Sequence, residues 1–120
     1  MEPTNKKKII VTGSTASMEL ICWEEDDCGN RSIFDATGFS LMELVYKKND
    51  GTLVTLGVGT GLTVVDIKTL IVKADLSVAQ TDVLKSKAWF NFDLEVTIGA
   101  EKFIFASREE WFVEKGIRQS

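Results

Sequence analysis

Residues 88–98 read AWFNFDLEVTI, and apolar and polar side chains alternate along them one for one. Phe90, Phe92, Leu94, Val96 and Ile98 fall on one side; Trp89, Asn91, Asp93, Glu95 and Thr97 fall on the other. Successive side chains of an extended chain point to opposite faces, so this period specifies a strand with one buried face. GAEK (99–102) then interrupts the pattern and FIFAS (103–107) resumes it. Gly99 supplies conformational freedom for a hairpin with a loop of about four residues. Trp111, Phe112 and Val113 extend the second strand past a bulge at Arg108-Glu109-Glu110.

The rest of the chain agrees. KKIIVTG (7–13), LTVVD (62–66) and TLIVKA (69–74) are short β-branched runs. ASMELICWEE (16–25) sets Met18, Leu20 and Cys22 against Ser17, Glu19, Ile21 and Trp23, with apolar residues on both sides. FSLMELVYKK (39–48) presents Met42, Leu44 and Tyr46 together, and NDG (49–51) turns the chain into TLVTLGVG (52–59). One helical signal stands out in LSVAQTDVLKS (76–86): Ser77 is a good N-cap and Gln80 lies where a capping box needs it. Leu76, Val83 and Leu84 would anchor that turn. The expected fold is all-β, an Ig-like antiparallel β-sandwich of about seven or eight strands with one short helix near 77–85. At 120 residues it is expected to be one domain over 1–120, with 1–6 flexible.

The chain contains no histidine, which removes the commonest general base and zinc ligand. A Ser-His-Asp or Cys-His site cannot be built from it. The segment GVGTGLT (57–63) has glycines but neither the lysine nor the following helix of a phosphate-binding loop, so it reads as a turn between strands. The acidic stretch EEDDCGN (24–30) lacks the alternating ligands of a calcium loop and reads as a solvated hairpin loop. Cys22 and Cys28 read as free thiols. No catalytic, metal or cofactor residues are therefore expected. A net charge of −4 argues against nucleic-acid binding; the run Lys6-Lys7-Lys8 reads as a solvated end. No window reaches the ~20 apolar residues of a membrane span, and the N-terminus has no signal-peptide core.

Among the three tryptophans, Trp89 lies on the polar side of its strand, where an aromatic marks a partner surface. Trp23 and Trp111 fit core or edge packing, and Trp111 joins Trp89 as a candidate for that surface.

The order of segments carries a resemblance. Ala36-Thr37-Gly38 precedes a strand; Leu76, Ser77 and Thr81 form a short helical turn. The aromatic strand Phe90-Asn91-Phe92-Asp93-Leu94-Glu95 follows, and Val113 to Ile117-Arg118 closes the chain. This order resembles the small β-sandwich module of tailed-phage virion proteins, including the N-terminal domain of baseplate upper proteins. Lys85-Ser86-Lys87 stands where the family has a small residue or proline and then glycine. The resemblance implies a non-enzymatic virion component of a baseplate or tail, or a head-fibre or decoration subunit. It would bind other virion proteins, self-associate, and be made in the bacterial host cytoplasm. The alternative from the residues themselves is a carbohydrate-binding or adhesive module, with Trp89 stacking on a sugar.

Overall fold

A computed structural model describes residues 8–117. The expected flexible lead-in 1–6, Lys6 and Lys7 of the basic run, and Arg118 of the closing motif lie outside the described residues. The elements are β1 (Ile9–Val11), β2 (Ala16–Ile21), β3 (Trp23–Glu25), β4 (Arg31–Ile33), β5 (Leu41–Lys47) and β6 (Leu53–Val58), followed by β7 (Gly61–Asp66), β8 (Ile71–Leu76), α1 (Val78–Asp82), β9 (Ala88–Ile98) and β10 (Glu101–Glu114). The chain is all-β with one short helix, as its alternation dictates.

Eight strands form one sheet in the order β1-β10-β9-β5-β6-β7-β8-β2, and β3 and β4 form a separate ribbon. The large sheet curls until it is nearly closed. Its inner face carries the core. Phe90, Phe92, Leu94 and Val96 of β9 lie beside Met42, Leu44 and Tyr46 of the neighbouring β5, and Met18 and Leu20 of β2 and Val72 and Ala74 of β8 join the same core. Each large buried side chain contributes about 1.5–3 kcal/mol relative to exposure. β2 thereby resolves its ambiguous pattern: Met18 and Leu20 go in, Glu19 and Ile21 go out.

The sheet is mixed where an antiparallel one was expected. β1 runs parallel to the end of β10, pairing Ile9 with Phe112 and Val11 with Glu114. This contact joins opposite ends of the chain, which local periodicity cannot specify. β6 and β7 also pair in parallel, Gly57 with Gly61 and Val58 with Leu62. Here the chain loops once within GVGTGLT and continues in the same direction. Gly59 (φ 86°) and Gly61 (φ 100°) take left-handed conformations that other residues rarely adopt. The Thr60 hydroxyl bonds back to the amide and carbonyl of Gly57.

The hairpin between β9 and β10 is tighter than expected, since only Gly99 and Ala100 separate the strands. The bulge does lie at Arg108–Glu110, where pairing skips from Ser107–Phe92 to Trp111–Phe90. Polar residues of β9 fill the interrupted ladder. Arg108 donates to the Phe92 carbonyl at 2.8 Å and to Asp93 at 2.8 Å, and the Asn91 side chain accepts from the Glu109 amide at 3.1 Å.

The capping box forms as written in the sequence. Ser77 Oγ accepts from the Gln80 amide at 3.2 Å, and Gln80 Oε1 accepts from the Ser77 amide at 2.8 Å. This helix turn presents Thr81, fully buried, to the link between β1 and β2. The Thr81 hydroxyl accepts from the Gly13 amide at 3.1 Å and donates to the Ser14 carbonyl at 2.7 Å. Replacing Thr81 with valine preserves shape but leaves both backbone groups without this partner. Thr81→Val is expected to lower unfolding free energy by about 1–3 kcal/mol in urea titrations, while Thr81→Ser loses less.

Candidate interaction surfaces

Trp89 is 46% exposed on the outer face of β9. Its ring meets Phe112 of β10 edge-on, with centroids 5.2 Å apart. The two are cross-strand partners, so the ladder itself holds the pair in place. Trp89 also walls a cavity of about 470 Å³ bordered by Lys47, Lys48, Asn91, Asp93 and Arg108. Of these, Asp93 and Arg108 are paired to each other at 2.8 Å.

Trp111 is placed differently. It lies beyond the bulge opposite Phe90, partly buried against the core, with the Lys8 ammonium 5.7 Å from its ring centroid. It does not share an exposed face with Trp89. The bulge causes this, because it resets which side chains of β10 point inward. Trp23, read from sequence as core or edge packing, lies outside the core, 44% exposed on the β3–β4 ribbon opposite Ile33.

A second concavity, of about 640 Å³, lies between β2 and β10. Leu20, Cys22, Phe92, Leu94 and Phe105 line its depth, and Ile21, Trp23 and Ile104 stand at its rim. Nearby, Phe34, just after β4, packs edge-on to Phe103 and Phe105 at 4.9 and 5.0 Å. No local sequence signal marks this concavity, since it is made by strands far apart in the chain.

The acidic loop is a hairpin turn. Asp26 accepts from the amides of Cys28 and Asn30 at 2.9 and 2.8 Å and from the Asn30 side chain at 3.1 Å. Its oxygens are engaged by the turn itself. Among the described residues, no three potential metal-ligating His, Cys, Asp or Glu side chains lie together. No helix among them is long and apolar enough to cross a membrane. The GVGTGLT turn leads into β7, so no helix N-terminus presents amides there.

Both cysteines are free. Burial, with a smaller contribution from Glu110, pushes the Cys22 thiol up to about 12, whereas Cys28 is exposed. Thiol labelling of the native protein at neutral pH is expected to modify Cys28 alone, with Cys22 reacting only after denaturation; equal rates would contradict this packing. The Asn30 amide and side chain, then the Cys28 and Gly29 amides, hold the Asp26 carboxyl below its usual range. A lowered folded pKa gives stabilisation that is complete above the unfolded value and is lost as pH falls through the folded one. NMR titration is therefore expected to show the Cys28 and Asn30 amides shifting at a pH below that of an ordinary aspartate, with no such step in Asp26→Ala. No protein-family model matches the chain, and no curated protein matches its sequence.

Proposed function

We propose that the protein is a non-enzymatic structural component of a bacteriophage virion, in the baseplate or tail or as a head-fibre or decoration subunit. It acts by joining subunits through protein–protein contact. The virion setting rests on the resemblance in segment order. The contact role is supported by one observation above others: Trp89 and Phe112 form an aromatic pair on an outer strand face, fixed by cross-strand register. Tryptophan is strongly enriched among the few residues that carry binding energy at interfaces. A stiff β scaffold holds such an anchor with little entropy left to lose on binding.

A sugar-binding or adhesive role has its own support in the cavity beside Trp89. The ring stands there next to Asn91 and several cations, a mixture of stacking surface and hydrogen-bonding groups.

Two measurements separate these readings. In the assembly reading, the protein is found in purified particles and forms a stable complex or oligomer by light scattering. Trp89→Ala then weakens that association by about 2 kcal/mol, roughly thirtyfold, while the lost cross-strand pair costs the fold about 1 kcal/mol or less. Monomeric behaviour at all concentrations together with absence from particles would contradict it. Sugar binding on a glycan array, lost in Trp89→Ala, would favour the alternative.

A further inference from the structure

The ladder between β5 and β9 ends at Tyr46–Phe92, although β9 continues beside β10 as far as Ala88. Past that point the chain leaving β5 turns away. The Lys48 amide donates to the Thr52 carbonyl at 2.8 Å, and the Asn49 amide donates to the Val83 carbonyl, ahead of β9, at 2.8 Å. The cavity of about 470 Å³ beside Trp89 lies where the two strands part, backed by buried Leu84, Phe90 and Val113.

Its charges are one-sided. Lys47, Lys48, Lys85 and Arg108 line it against a single carboxylate, Asp93. Arg108 is paired with Asp93, whereas the three lysines form no salt bridge among the described residues. Asp50 interacts electrostatically with Lys48, but its carboxylate is bound into its own turn through Thr52. In a chain of net charge −4, three uncompensated cations around one concavity select an anion. The chain ends do not complement them: residues 1–7 carry Lys6 and Lys7 against Glu2, and 118–120 carry Arg118.

We propose that this cavity binds an acidic saccharide, a sugar whose ring lies against Trp89 and whose carboxylate sits among Lys47, Lys48 and Lys85. The proposal deepens the sugar-binding reading and rests on it. The volume is that of a small-molecule site, an aromatic wall with a few converging polar groups. The bulge of β10 prepares two of those groups for hydroxyls. Asn91 Oδ1 accepts from the Glu109 amide at 3.1 Å, which leaves its NH2 to donate. Asp93 Oδ1 accepts from Arg108, which leaves its second oxygen to accept. A carboxylate in the wall takes sugar hydroxyls and repels phosphate, and the one arginine that could clamp a phosphate is already paired.

The test titrates the intact chain with glucuronate, galacturonate and N-acetylneuraminate, and with the neutral methyl ester of each, followed by calorimetry and by NMR of the Trp89 indole. At least one acid is expected to shift Trp89 and to bind about fivefold tighter than its ester at low salt, with the preference lost in high salt. Lys47→Gln with Lys85→Gln, both exposed positions, is expected to remove most of that preference and leave ester binding unchanged. Trp89→Ala is expected to abolish binding of acid and ester alike. Equal affinity for every acid and its ester would overturn the acidic proposal and leave the sugar-binding reading standing. No shift of Trp89 with any saccharide at millimolar concentration would overturn both and leave the assembly reading untouched. Tighter binding of uridine monophosphate or of a glutamate-rich peptide than of every saccharide would also overturn the proposal. So would a Trp89 signal that moves on dilution of the protein alone, since a second copy would then fill the cavity.

Discussion

Everything in this structure depends on how an eight-stranded sheet whose two outer strands are sequence neighbours is brought nearly to closure. β1 and β2 lie at opposite ends of the strand order, yet only residues 12–15 separate them. The sheet must therefore curl until its ends meet, and the link at that meeting point must have its backbone groups satisfied. Thr81 does this from outside the sheet, bonding Gly13 and Ser14 through one hydroxyl. The Glu114 carbonyl accepts from the Thr12 amide at 2.9 Å and ties the same link to the end of β10. A five-residue helix that would be marginal alone thus holds the seam of the fold.

Among the described residues, the seam is paired at one end, where β1 meets β10, and unpaired at the other. β5 and β9 sit between paired neighbours, with Met42, Leu44 and Tyr46 of β5 and Phe90 to Val96 on the inner side of β9 buried. β2 and the first half of β10 each have one edge with no strand partner among the described residues. Along β10 the bulge marks the change: beyond it β1 completes the ladder, and before it nothing among the described residues does. The Lys8–Glu110 pair sits just before β1, beside the bulge of β10.

What the sequence made legible is what local chemistry determines. The burial of Phe90 through Val96, the Ser77–Gln80 capping box, the NDG turn and the bulge after Ser107 all follow from neighbours within a few residues. The Asp50 carboxylate, for example, accepts from the Thr52 amide at 2.9 Å just as such turns require. What the sequence left hidden depends on contacts between distant segments. The parallel pairing of β1 with β10 joins Ile9 to Phe112. β4 has three residues, all exposed, and so shows no alternation to find. Trp111 was ambiguous because the bulge, which decides the face it takes, shifts the register by an amount that periodicity does not give. Trp89, with no irregularity before it on its strand, landed on the face its position implied.

The most direct test of the account is a map of backbone proton contacts around the seam by NMR. The account predicts contacts of parallel register between Ile9–Val11 and Phe112–Glu114, contacts placing Thr81 against Gly13 and Ser14, and none between β2 and residues 101–107. Cross-strand contacts linking β2 directly to that stretch of β10, making a fully closed barrel with no open edge, would contradict it.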